Sequence, residues 1–393
     1  MDGAETMILY GMKVVTRDRT IKNGYLLMES GKIKSVGANL AENDYPGVKR
    51  IRYDKDDIAI PGFIDIHIHG GYGVDVMDAE QGVFETLGRQ LPSEGTTSYL
   101  ATTITQAEDQ TKRALEHAAF FQGDSGQAEL LGIHLEGPFI NVKRKGAQPQ
   151  EHLQNGDVEK FQMFQEASDQ NILISTYAPE IPGGDALTKH FNETGVIPSI
   201  GHSDATQTEV EDAVKAGAKH VTHLFNGMRG FHHREPGVVG TAFSTESLMT
   251  ELIVDGLHSV PAAVVAAYRA IGAQNLMLIT DSMRAKGLQD GTYDLGGQGV
   301  TVENGQAVLA DGTLAGSIAT METCFCRMHQ FTDAPLHELV KMTSANQAET
   351  LGVSERKGAI QPGMDADIVL LNNRWKVKNT WCRGQLAYED KEW

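Results

Sequence analysis

The sequence predicts an α/β protein: a (β/α)8 TIM-like metallohydrolase barrel with a small β-sandwich domain formed by both chain ends. Three observations carry this. Short apolar runs alternate with helical stretches through the middle of the chain, as βαβ units do. About eight such runs occur, the number that closes a barrel. Most of them end in a residue able to bind a metal or move a proton, and the C-terminal ends of barrel strands are where such a fold carries its active site.

The chain ends read differently from the middle. Residues 8–37 contain ILYGMKVV, GYLLMES and KIKSVG, alternating runs broken at Asn23-Gly24 and Ser30-Gly31. Such runs bounded by turn residues suggest hairpins. DADIVLLN and KVKNTWCRGQLAY, near the other terminus, are equally β-like. The two ends are therefore expected to pair in one small sheet domain, with residues 1–60 and 355–393 as its two parts and residues 61–354 as the catalytic barrel. A chain of 393 residues suits that division, since a barrel takes about 250.

The barrel runs, in order, are FIDIHIH (63–69), TSYLATT (97–103), ELLGIHLEG (129–137), ILISTYAPE (172–180), VIPSIGH (196–202), HVTHLFN (220–226), LIVDGLH (252–258) and LMLITD (276–281). Helical stretches such as 105–121 and 205–218 separate several of them. An open doubly wound sheet is the competing fold, but no glycine-rich dinucleotide loop follows an early strand.

Composition bounds the partners. Lys and Arg total 34 against 52 Asp and Glu, a formal charge of −18. That argues against nucleic acid or an anionic membrane as the main partner, because both require basic surfaces. It leaves room for a small anionic substrate held by a local basic cluster. Cys324, Cys326 and Cys382 are too few for a disulfide framework, and Cys324-x-Cys326 is read as a pair of small buried hydrophobes. No apolar run is long enough to span a bilayer. The opening MDGAET lacks a basic region followed by an apolar stretch, so a cytoplasmic protein with a loose terminus is expected.

His67 and His69 stand two apart on a strand and so share a face. Glu136, His202 and His223 end later runs. Imidazole and carboxylate are ligands that Zn2+ and Fe2+ accept. With Asp281, the six suffice for two ions bridged by Glu136, the pair being about 3.5–4 Å apart. Asp281 closes an apolar run at the barrel mouth, where its carboxylate can take a proton from water and return it to a leaving amine. His134 is read as packing or support. His117, His152, His190, His220, His329 and His337 are assigned no role. His232, His233 and Arg234, with Glu235, form a compact cationic cluster in an acidic chain, and Arg offers a planar fork matched to phosphate.

PGFIDIHIHG, HLEGPF, GHSDA, THLFNGM, HHREPG, DGLHS, ITDSM and DGTLAGS together resemble the N-acetylglucosamine-6-phosphate deacetylases of the amidohydrolase superfamily, from about residue 8 to about residue 388. PGFID-x-H-x-H marks only the superfamily; THLFNGM, HREPG and DGTLAGS are more specific. The resemblance implies hydrolysis of the acetamido group of N-acetylglucosamine 6-phosphate in a cytoplasmic homodimer. It implies an ion on Glu136, His202 and His223 and a second on His67 and His69. Members lacking the histidine pair bind one ion; this chain keeps both. Many superfamily members bridge with a carboxylated lysine, for which no strand-end lysine is available, so the role falls to Glu136.

For substrate, the resemblance implies Asn226 and Gly227 at sugar or phosphate and His258 at the sugar hydroxyls or the scissile carbonyl. Arg234 is implied at the phosphate with His232 and His233, the HREPG segment serving a neighbouring subunit. Leu314, Ala315 and Gly316 would wall the acetyl methyl. Gln148 departs from a pattern in which some members carry histidine: its amide can donate a hydrogen bond but carries no charge. The rival readings are the same reaction on the galactosamine epimer, hydrolysis of a cyclic amide or deamination of an amine by a related barrel, and a non-catalytic scaffold.

Overall fold

In the computed structural model, which describes residues 5–391, the eight apolar runs form one parallel sheet. Its strands are β1 (Phe63–Ile68), β2 (Thr96–Thr103), β3 (Glu129–Glu136), β4 (Ile172–Tyr177), β5 (Ile197–Ile200), β6 (His220–Val221), β7 (Met249–Ile253) and β8 (Leu276–Ile279). Each strand pairs with its neighbour in sequence. The edges then meet: Ile68 bridges Ser282 in parallel, and the Asp281 N–H donates to the His67 carbonyl at 2.8 Å. The sheet closes as a barrel there, which places Asp281 beside His67. The reading of MDGAET falls largely outside the described residues.

Helices cover the outside. The stretch read at 205–218 is a helix over Gln207–Ala216. Thr206 accepts from the Glu209 N–H and Glu209 reaches back to the Thr206 N–H, a capping box worth about 1 kcal/mol. Gly217, with φ 118°, ends it. Val210 and Ala213 form its buried face. No helix among the described residues is long and apolar enough to cross a membrane.

The chain ends form two sheets, as a β-sandwich requires. Strands Met7–Tyr10, Gly24–Glu29, Lys32–Ala38 and Lys49–Arg52 make a four-stranded sheet from the N-terminal part alone. A six-stranded sheet joins the termini, with Ile58–Pro61 pairing antiparallel to Ile368–Leu371. The two sheets are the layers of the expected sandwich, because each has an apolar face to bury. Leu9, Leu26 and Met28 of one sheet pack with Val14, Ala59, Ile368, Leu370 and Trp381 of the other, and only two stacked sheets bury that surface.

Charge joins sandwich to barrel. Glu129, at the start of β3, meets Arg356 at 2.6 Å, Lys357 at 2.7 Å and Arg383 at 3.1 Å. Burial raises the Glu129 carboxyl, but these cations outweigh it and hold the group at about 2. A small antiparallel sheet, Gly291–Leu295, Gln298–Glu303 and Gln306–Val308, follows β8. The strand-helix reading did not anticipate it. Its signals are turn pairs: Gly296-Gly297, with φ 58° and 77°, and Asn304-Gly305, with φ 53° and 82°.

Candidate active site

At the C-terminal mouth of the barrel four imidazoles surround one carboxylate. Glu136 Oε1 lies 3.1 Å from His202 Nε2, 3.0 Å from His223 Nε2 and 3.5 Å from His67 Nε2. Its Oε2 lies 3.3 Å from His69 Nε2. Asp281 Oδ1 faces the first histidine pair, 3.2 Å from His69 Nε2 and 3.6 Å from His67 Nε2. All six residues are nearly or fully buried.

Local backbone aims these groups. His67 and His69 point inward together because strand side chains alternate. His202, His223 and Asp281 instead adopt left-handed backbone, with φ of 48°, 28° and 49°. That region is costly for residues with a Cβ and is concentrated at functional sites. Here it turns three side chains back over the barrel as their strands end. Gly227 is equally constrained: with φ 58°, a Cβ there would stand 2.8 Å from His202 Nδ1.

The tautomers follow from the opposite ring nitrogens. Nδ1 of His69, His202 and His223 meets the carbonyls of Thr102 at 3.2 Å, Arg144 at 2.8 Å and Asn226 at 3.1 Å. A carbonyl only accepts, so each Nδ1 carries the hydrogen and each Nε2 of the neutral ring presents a lone pair. His67 Nδ1 meets Glu251 Oε2 at 2.9 Å, an oxygen that also accepts the His223 N–H at 3.1 Å. His67 Nε2 is buried with no hydrogen-bond partner. Four ring nitrogens converging on one carboxylate, one of them without a hydrogen-bond partner, fit a cation. The sets His67, His69 and Glu136, and Glu136, His202 and His223, each bring their ligand atoms within 4.8 Å of one another.

Proton affinities within the cluster divide in the same way. Burial drives His67 well below its ordinary value. Burial lowers His69 too, but its bonds to Asp281 and Glu136 overcome this and raise it well above. Burial would raise Glu136, yet the surrounding histidines hold it well below the usual carboxylate range.

Beneath the cluster lies a buried polar layer. His134 bonds the Ile66 carbonyl at 3.0 Å and Thr176 Oγ1 at 2.7 Å, and Thr176 bonds Thr222 at 2.7 Å. His134 thus sits among the supports of the cluster, as does His220, 3.8 Å from Glu251. Glu251 was not singled out from the sequence. One glutamate in MTELIV carries no periodic signal, and its partner His67 is 184 residues away.

A cavity of about 200 Å3 opens over the cluster. Its walls include His258, Gln148, Asn226, Gly227, Leu314 and Gly316, together with Ile104, Leu295 and Thr313. Gln148 Nε2 donates to Glu136 Oε2 at 2.7 Å and its Oε1 accepts the Thr105 N–H at 2.8 Å, so the amide clamps the carboxylate. His258 Nδ1 is held by Asp255 Oδ2 at 2.6 Å, and Asp255 Oδ1 caps the Leu257 and His258 N–H groups at 2.8 Å each. Asp255, though inside the run 252–258, was given no role from the sequence, because its use depends on the pairing with His258.

Two groups of expected substrate residues lie elsewhere in the subunit. Ala315 is fully buried among Met283, Ala285 and Leu295 rather than on the cavity wall. His232, His233 and Arg234 are exposed and do not line the cavity. A larger groove of about 680 Å3 lies on the helical exterior between Glu85, Arg113 and Phe120, and contains none of the clustered ligands.

The amidohydrolase family profile matches residues 58–387. The chain is 46% identical over 393 residues to the N-acetylglucosamine-6-phosphate deacetylase of Bacillus subtilis, covering 99% of each. The structure of that enzyme from Thermotoga maritima aligns with a TM-score of 0.87 at 32% identity, over 98% of this chain and 100% of that one. A Mycobacterium smegmatis enzyme of the same name, in a D267A mutant complex with N-acetyl-D-glucosamine 6-phosphate, aligns with a TM-score of 0.90 at 29% identity. That alignment covers 98% of this chain and 99% of the mycobacterial one.

Proposed function

The chain belongs to the amidohydrolase family, and from that premise we propose that it hydrolyses N-acetyl-D-glucosamine 6-phosphate to D-glucosamine 6-phosphate and acetate, in amino-sugar catabolism. The observation that carries the chemistry is the convergence of four histidine Nε2 atoms on Glu136 beneath an open cavity.

Glu136, His202 and His223 would hold one divalent ion, and His67 and His69 with Glu136 would hold a second, with Zn2+ and Fe2+ both suited to such nitrogen and oxygen donors. Bound there, the metal supplies Lewis-acid polarisation of an amide carbonyl and makes a water acidic enough to lose a proton near neutral pH.

The remaining steps belong to the protein. Asp281, at the cavity floor against His69, takes the proton from the attacking water and returns it to the amine nitrogen as the C–N bond breaks. Water is consumed; acetate and the free amine leave. His258, with its Nδ1–H donated to Asp255, offers its Nε2 lone pair to a hydroxyl of the sugar. Gln148 holds Glu136 still. Leu314 and Gly316 pack the acetyl methyl, and Asn226 and Gly227 face the sugar.

The phosphate is assigned to Arg234 with His232 and His233. Their exposure outside the cavity of their own subunit supports a role toward a neighbouring one, in a homodimer. Steady-state comparison of N-acetylglucosamine 6-phosphate with N-acetylglucosamine and N-acetylgalactosamine 6-phosphate tests the assignment. The phosphorylated glucosamine derivative should give the highest kcat/KM; preference for either other sugar would contradict it.

A further inference from the structure

The four histidines of the cluster are not supported in the same way. His69, His202 and His223 hand their Nδ1–H to main-chain carbonyls, which persist whatever side chain those positions carry. His67 alone depends on a side chain, Glu251 of β7. The same Oε2 accepts the main-chain N–H of His223. One oxygen therefore ties a residue of β1 to the turn that follows β6, across the barrel interior. Glu251 and His67 are both 0% exposed, so water cannot replace the bond.

His67, His134 and Glu251 also have the donor types of a cation site. Their bonds point to another use. His67 Nδ1 and Glu251 Oε2 are already joined at 2.9 Å, and both nitrogens of His134 are engaged. The layer supports the cluster above it.

We propose that Glu251 is a positioning residue of the metal centre. By accepting from His67 Nδ1–H it sets the tautomer that turns the His67 Nε2 lone pair toward the ion, and by accepting the His223 N–H it fixes the turn bearing a second ligand. The inference rests on reading the cluster as a metal site. The acceptor is what matters, so an amide oxygen in the place of Oε2 preserves the function.

The test is chelator competition for Zn2+ by the purified full-length protein and its E251L and E251Q variants. E251L removes the acceptor and fills the volume, and its Zn2+ affinity should fall roughly 10–100-fold, the usual cost of losing a ligand's hydrogen-bond partner, while E251Q stays within about threefold of the parent. The rise in Tm on adding Zn2+ should shrink in E251L and persist in E251Q. Parent-like affinity in E251L, or an equal loss in E251Q, would overturn the proposal. Should E251L not fold, histidine-selective 15N spectra of the metal-free parent decide: His67 must carry its hydrogen on Nδ1, and an Nε2–H tautomer would refute the role. A parent protein that binds no Zn2+ would instead overturn the metal centre itself.

Discussion

Nε2 of His202 and Nε2 of His223 face each other across 3.2 Å, and both point at the same oxygen of Glu136. Their Nδ1 atoms are committed to carbonyls, so in the neutral rings two lone pairs confront a carboxylate. That arrangement is repulsive without a positive charge between them. Protons meet the need only in part, whereas a divalent cation meets it for the whole set. Several expectations follow from this and from the groups around it.

Asp281 is placed to move protons rather than chiefly to hold the ion, since the Glu136, His202 and His223 set is complete without it. D281N should lower kcat by roughly 10²–10⁴-fold, with metal content by elemental analysis unchanged. Loss of metal together with activity would make Asp281 a ligand first.

Asp255 orients His258 through a 2.6 Å bond to Nδ1. D255N allows the ring to turn, and misplacement of a group that contacts substrate should lower kcat/KM by roughly 10–100-fold with the fold intact. Unchanged kinetics would mean that His258 does not need a fixed orientation.

Arg234, if it reaches the phosphate of a neighbouring subunit, should act in trans. R234A and D281N proteins, each poorly active, should regain activity when mixed under conditions that exchange subunits. Random pairing makes half the dimers mixed, each with one intact site, so about a quarter of the parental activity is expected. No recovery would place the arginine's action within its own subunit.

Glu129 governs the acid limb of stability. Its folded value of about 2 lies below the ordinary 4.5, so its contribution is complete above the latter and is lost as pH falls toward the former. With its side chain about a quarter exposed, the contribution is on the order of 2–3 kcal/mol. E129Q should lower Tm at neutral pH, and the gap from the parent should narrow below about pH 4. A gap constant with pH would remove Glu129 from the acid response.

The barrel and the side chains clustered at its mouth were legible because they are local signals. An apolar run ending in His or Glu shows itself in a few residues, and His67 with His69 needs only strand parity. What was hidden depends on distant pairing. Glu251 acquires meaning only when β7 lies across from β1. Which terminal strands share a sheet is set by which apolar faces stack, and that choice puts Leu9 and Ile368, from opposite ends of the chain, in one buried cluster. The short sheet after β8 was different: its Gly296-Gly297 and Asn304-Gly305 turns were in plain view. The expected alternation of strand and helix passed over them, and with them Leu295 of the cavity wall.

The most direct measurement is acetate release from N-acetylglucosamine 6-phosphate by protein stripped of metal with a chelator, followed as Zn2+ or Fe2+ is returned. Turnover should vanish on stripping and recover in proportion to metal bound, and an H202A/H223A double variant should not recover. Full turnover by protein shown to hold no metal would contradict the assignment of the His67, His69, Glu136, His202 and His223 cluster as the catalytic centre.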